Sequence, residues 1–189
     1  SAPRYPGIRI TTNGNQLVAY HTEARITDGG VFYPITPSTE MGENYQLSFA
    51  EGRLNVFGGA KVAIETEGEH SAQSGALGAA LTGGQFISNA SSSQGILYAM
   101  ESHYVTVGKK IGGFVLQVAA RVVSKHSLNV MAGHDDVYAL LSAGYTILFG
   151  SNPQEAADLA AISYRASALS LIPVANAMDG FSTSHMLSE

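Results

Sequence analysis

Three places in this 189-residue sequence set reactive side chains beside residues that fix the backbone. The first is Tyr33-Pro34-Ile35-Thr36-Pro37-Ser38-Thr39, where the apolar run Val31-Phe32-Tyr33 meets two prolines and three hydroxyls. Neither proline offers an N–H to a ladder, and Ser38 or Thr39 is placed to cap a following helix. Open α/β sheets bind ligands at the carboxyl ends of strands, and Thr36 occupies such a position. The same residues would also make a structural turn with a capping hydroxyl. The second place is Glu65, Glu67 and Glu69, between a β-branched run and a Gly/Ala-rich segment. A carboxylate there complements a helix N-terminus or, held in a low-dielectric crevice, passes a proton to a bound heterocycle. Spacing does not choose among the three. The third is Arg121, which closes the apolar run 113–120. It suits either a buried ion pair with Asp135 or Asp136, or bidentate capture of a small carboxylate.

These residues need elements to hold them. Leu17, Tyr20 and Ala24 share one helical face in 15–27, and Asp28-Gly29-Gly30 closes that helix before a strand at 31–33. A helix weakened by Gly42 is expected at 38–51 and a strand at 61–66. Residues 69–84 carry Gly75, Gly78 and Ala79, a surface small enough for close helix packing. A short strand at 85–88, a polar turn at 89–93 and a helix at 94–107 follow. The run 113–120 reads as a strand buried on both faces. After an irregular segment come a helix at 136–142, a strand at 145–149 and a last strand at 172–177. Between the last two, Asn152-Pro153-Gln154-Glu155 marks the clearest helix start, with a helix to about residue 170. Alternation at this spacing predicts parallel βαβ units: an α/β, doubly wound, mostly parallel sheet with helices on both faces. Thr36, a glutamate near 69 and Arg121 then end three strands and, in a parallel sheet, face one crevice.

Composition excludes several alternatives. Charged residues are 13% of the chain, against about 25% in ordinary domains, which predicts a face covered by a partner domain or subunit. The net charge of −5, with Lys109-Lys110 as the only basic pair, argues against nucleic acid. The chain has no cysteine, so disulfides, thiolate-bound zinc and iron–sulfur clusters cannot reside in it. No apolar run reaches the roughly 20 residues of a membrane helix, and residues 1–7 carry no signal pattern, so a cytoplasmic location is expected. The sequence starts without Met and is read as a single domain, 1–189, belonging to something longer. It lacks the glycine fingerprints of nucleotide sites, the nucleophile elbow and the zinc-protease motif. His126, His134, Asp135 and Asp136 do not have metal-ligand spacing, and Asn89-Ala90-Ser91 is a chance glycosylation match.

Six ordered motifs carry a resemblance: Tyr33-Pro34-Ile35-Thr36-Pro37-Ser38, Ser93-Gln94-Gly95, Val118-Ala119-Ala120-Arg121, Gly133-His134-Asp135-Asp136, Gln154-Glu155-Ala156 and Asp179-Gly180-Phe181-Ser182-Thr183-Ser184-His185. Together the sequence resembles the first domain of the pyruvate:ferredoxin oxidoreductases, within the 2-oxoacid:ferredoxin oxidoreductase family. The resemblance implies the pyrimidine-binding half of a thiamine diphosphate site. It makes Thr36 and Arg121 the contacts of the 2-oxoacid and adds Leu128 to the substrate pocket. It assigns Ser93, Gln94 and Gly95 to the cofactor. It also implies a glutamate on the aminopyrimidine ring. Glu69 fits that glutamate, because Gly78-Ala79 falls nine and ten residues later; Gly68-Glu69-His70-Ser71 departs from the family's Ser-Glu-Ala-Gly, so Glu67 remains the alternative.

By the same resemblance the diphosphate and Mg²⁺ are held by another domain, since Asp179-Gly180 is not the Gly-Asp-Gly motif that binds them. Iron–sulfur clusters and coenzyme A likewise belong elsewhere in the complete, dimeric enzyme. That enzyme would oxidatively decarboxylate pyruvate to acetyl-CoA and CO₂ and pass electrons to ferredoxin, with this chain inactive alone. Two rival readings are a non-oxidative thiamine enzyme or another 2-oxoacid oxidoreductase, and a non-catalytic module of the same fold.

Overall fold

The computed structural model describes residues 7–83, 85–123 and 133–189. Six parallel strands form one sheet in the order β2-β1-β3-β4-β6-β5. They are β1 (Gly29–Phe32), β2 (Val62–Glu65), β3 (Ile87–Ser91), β4 (Phe114–Ala120), β5 (Thr146–Gly150) and β6 (Val174–Asp179). A parallel sheet hides both faces under helices, and β4 is buried at every position.

One face is covered by α4 (Glu69–Leu81), α5 (Ser93–Tyr98), α6 (Met100–Gly108) and α7 (Asp135–Ala143). Its core gathers Val31, Ala72, Ala76, Leu116, Val118 and Leu140. The other face carries α1 (Gly14–Val18) and α2 (Ala24–Ile26), joined by a π-helical turn (Ala19–Glu23), together with α3 (Thr39–Ala50) and α8 (Pro153–Ser170). Val18, Met41, Tyr45, Ala119 and Ala160 pack there. Alternate residues of β4 enter opposite cores, as the period of two requires.

The start of α8 follows its sequence signal: the Asn152 side chain accepts from the Glu155 N–H at 2.9 Å, with Pro153 at the first helical position. Three boundaries need correction. The first strand is Gly29–Phe32, so Tyr33 lies beyond it and belongs to the corner. Residues 89–91 are not a turn but the second half of β3, fully buried. Asn89 is tolerated there because its amide donates to Gln73 Oε1 at 2.8 Å, satisfying a polar group the core would otherwise exclude. The last strand begins after Pro173, which removes any conflict between the ring and the ladder.

Candidate active site

Four adjacent strands deliver the candidate residues to one end of the sheet. The corner at Thr36 follows β1, Glu69 opens α4 after β2, Ser93-Gln94-Gly95 opens α5 after β3, and Arg121 follows β4. The sheet order sets these junctions side by side. This is the place where a doubly wound sheet leaves a crevice.

The corner is anchored from behind. Ser38 Oγ donates to the Ile35 carbonyl at 2.9 Å, and Asn15 Nδ2 donates to the Pro37 carbonyl at 3.1 Å. The Thr36–Pro37 peptide bond is cis. Gly180 lies under the same proline: a Cβ added there would meet Pro37 Cγ at 2.5 Å and the Ala120 carbonyl oxygen at 2.4 Å. Thr36 itself is exposed, and among the described residues its hydroxyl has no hydrogen-bond partner.

Arg121 is buried, yet its guanidinium reaches across the corner. One nitrogen donates to the Thr36 carbonyl at 2.8 Å and another to Gln94 Oε1 at 3.0 Å. Asp136, fully buried, accepts the Arg121 backbone N–H at 3.0 Å and the Ser93 backbone N–H at 2.9 Å through the same oxygen. Its other oxygen takes the Val137 N–H at 2.9 Å. Burial pushes the Asp136 carboxyl above its ordinary range, and the three N–H groups pull the other way. Asp136 thus braces the backbone at Arg121. Ser93 sits at φ +46°, a left-handed conformation uncommon outside glycine, and its hydroxyl contacts the Val122 carbonyl at 2.8 Å and Gln94.

Of the three glutamates, the geometry separates Glu69 from the others. Glu65 is exposed at the sheet edge, where it accepts from Gln46. Glu67 is exposed, accepts from Ser71 Oγ at 2.9 Å, and is lowered by its own backbone N–H and by that hydroxyl. Glu69 is half-buried and lines a closely packed crevice with Tyr33, Gln73, Asn89, Ser91, Gly95 and His103. Gly95 is what leaves room: a Cβ there would stand 2.9 Å from Glu69 Cγ, 2.7 Å from Ser91 Oγ and 3.3 Å from Ile35 Cδ1. Leu128 and His126 lie outside the described residues. His134 stands 3.9 Å from Asp179 and against the Phe149 ring.

Residues 21–189 match the family model described as pyruvate flavodoxin/ferredoxin oxidoreductase, thiamine diphosphate-binding. The chain belongs to this family. Pyruvate-flavodoxin oxidoreductase of Enterobacter agglomerans is 36% identical over 184 residues, 97% of this chain. Pyruvate:ferredoxin oxidoreductase of Moorella thermoacetica is 34% identical over 175 residues, 93% of this chain. The chain spans 15% of the length of each. The fold recurs in 2-oxoglutarate:ferredoxin oxidoreductase from Magnetococcus marinus, solved with 2-oxoglutarate, coenzyme A and succinyl-CoA bound. Its TM-score is 0.79 at 18% identity, over 97% of this chain and 32% of that one.

The polar lining of this crevice, rather than its closely packed volume, is what matches the chemistry of an aminopyrimidine ring. A carboxyl stands at its mouth, a glycine leaves space beside it, and buried polar atoms on Asn89, Ser91 and His103 have no partner among the described residues. Sequence reading placed Thr36, Glu69 and Arg121 correctly at strand ends. It missed Asn89, Gln73 and His103, because each is a polar residue inside a core element.

Proposed function

We propose that this chain is the pyrimidine- and 2-oxoacid-binding domain, 1–189, of a thiamine diphosphate-dependent pyruvate oxidoreductase. The observation that carries the reading is the meeting of Glu69, Thr36, Gly95 and Arg121 at four adjacent strand ends. Arg121 binds the substrate carboxylate: it is buried, preset by Thr36 and Gln94, and keeps the planar fork that matches two carboxylate oxygens. The exposed Thr36 adds its hydroxyl to the same carboxylate. By the family resemblance Leu128 is assigned to the substrate pocket as well.

Glu69 holds and returns a proton at the pyrimidine ring, and Ser93-Gln94-Gly95 shapes the wall beside it. Bound thiamine diphosphate supplies the electron sink for decarboxylating a 2-oxoacid. The residues of this chain orient the reactants and exclude water, the electrostatic share of the rate. Other domains of a dimeric, cytoplasmic enzyme hold the diphosphate, Mg²⁺, the iron–sulfur clusters and coenzyme A, and pass electrons to ferredoxin. The absence of cysteine here and the 15% span support that division, and the chain alone is inactive.

In the complete enzyme Glu69→Gln abolishes cofactor activation while Glu67→Gln retains it, as their burial suggests. Retained turnover in Glu69→Gln, or its loss in Glu67→Gln, moves the role off Glu69.

A further inference from the structure

The corner at Thr36 belongs to a ring of contacts that closes on itself. The Arg121 guanidinium donates to the Thr36 carbonyl at 2.8 Å, and the Asn15 side-chain amide donates to the next carbonyl, that of Pro37, at 3.1 Å. Asn15 is itself fixed by its backbone N–H on the Ser184 carbonyl at 3.1 Å, beside the Gly14 N–H on the Thr183 carbonyl at 2.9 Å. The Ser184 hydroxyl donates to the Gly180 carbonyl, and the Gly180 N–H donates to the Ala120 carbonyl at 3.0 Å, next to Arg121. From Arg121 the path thus runs through the corner, the start of α1 and the turn after β6, and returns to the end of β4. Asn15 carries the link from α1 to the corner.

The surroundings of Asn15 give its amide a direction. Its Nδ2 also donates to Glu40 Oε2 at 3.3 Å, and the Asn13 amide donates to the two Glu40 oxygens at 3.0 and 3.2 Å. A carbonyl and a carboxylate on one side require an N–H there, so the amide cannot be turned the other way. Asn15 is 0% exposed, and its Oδ1 has no partner among the described residues. A buried acceptor without a donor costs stability. Leucine has the same heavy-atom skeleton and no such cost, so the packing of α1 alone does not call for an asparagine. What the asparagine adds is a donor aimed at Pro37. The seat is also tight: a Cβ on Gly14 would meet the Thr183 carbonyl oxygen at 2.5 Å and Met178 Sδ at 2.8 Å, so α1 cannot slide to let another residue supply that donor.

We propose that Asn15 is a positioning residue for the 2-oxoacid: it holds the Pro37 carbonyl from behind, with Glu40 as its second acceptor, and so fixes Thr36 against Arg121 before the substrate arrives. Without this donor the Thr36 carbonyl stays tied to Arg121 while Pro37 is released, and the exposed Thr36 hydroxyl loses its set distance from the guanidinium. The inference rests on the reading, given above, that Thr36 and Arg121 take the substrate carboxylate.

The test uses the complete enzyme and pairs Asn15→Ala with Asn15→Leu, which loses the donor but fills the space. Both should raise the pyruvate KM by roughly tenfold with kcat within about twofold of wild type, as expected when a binding group is displaced rather than removed. Amide exchange at Ser38, whose N–H bonds the Ile35 carbonyl in the corner, should quicken in both. A wild-type KM in either variant overturns the proposal, because an asparagine that only packs α1 leaves the substrate untouched. Should neither variant fold, Glu40 decides. Glu40→Ala should raise KM by about threefold and Glu40→Gln, whose amide oxygen still accepts from Asn15, should restore it. Equal KM values for those two overturn the proposal as well. Thr36→Val separates the failures: a raised KM there beside unchanged Asn15 variants removes only Asn15, whereas a wild-type KM removes the corner from the substrate and this inference with it.

Discussion

The guanidinium of Arg121 donates to the carbonyl oxygen of Thr36 at 2.8 Å, joining the end of β4 to the corner after β1. With Gln94 on a second nitrogen, the fork is held from two sides in advance of any substrate. Arg121→Lys keeps the charge but cannot reach both acceptors from one ammonium. We expect kcat/KM for pyruvate to fall by about 100-fold, roughly 2.7 kcal/mol, mostly through KM. Steady-state kinetics of the complete enzyme checks this, and a KM equal to wild type would remove Arg121 from the substrate.

Gly95 tests the other half of the site. A methyl there would stand 2.9 Å from Glu69 Cγ and 2.7 Å from Ser91 Oγ, so Glu69 must shift. Gly95→Ala should weaken thiamine diphosphate binding by roughly tenfold while leaving the pyruvate KM near wild type. Titration calorimetry of the complete enzyme reads the first and initial rates the second.

Gly180→Ala should act on structure. Its Cβ meets a carbonyl oxygen of the sheet and the Pro37 ring, and the carbonyl cannot swing aside as a flexible side chain would. A cost of about 2–3 kcal/mol is expected, with faster amide exchange at Ser38 and Gly180 as the local signature.

Glu23 supplies a pH dependence far from the site. Its carboxyl, on the last residue of the π-helical turn, is fully buried and takes the Tyr164 hydroxyl, and burial pushes it up to about 7 from 4.5. The folded chain therefore binds this proton more tightly than the unfolded chain. Its contribution is complete below 4.5 and is lost as pH rises through 7. The full span is about 3 kcal/mol. Denaturant midpoints should fall between about pH 5 and about pH 8, and Glu23→Gln should flatten that fall.

Much of this was legible in the residues. Asn152-Pro153-Gln154-Glu155 states a helix start in its own chemistry, and the apolar run of β4 states a buried parallel strand. The catalytic candidates were legible because reactive residues followed strands. The interior of β3 was not, since Asn89 and Ser91 read locally as turn residues. Only the distant Gln73, one helix away, makes Asn89 acceptable in a core. His103 was hidden similarly, its partner Tyr145 lying 42 residues on. The widened, π-helical turn at 19–23 has no local marker either; Thr22 Oγ1 bonds the Leu17 carbonyl there, a contact visible only once the helix exists.

One oxygen of Asp136 receives the backbone N–H groups of both Ser93 and Arg121. The start of α5 at Ser93 and the end of β4 at Arg121 are thus pinned to a single atom. Neither strand end can drift without dragging the other, so a tug on Arg121 by an arriving anion is felt at the loop carrying Gln94. The separation of these two strand ends is set by this pin together with the Arg121–Gln94 contact.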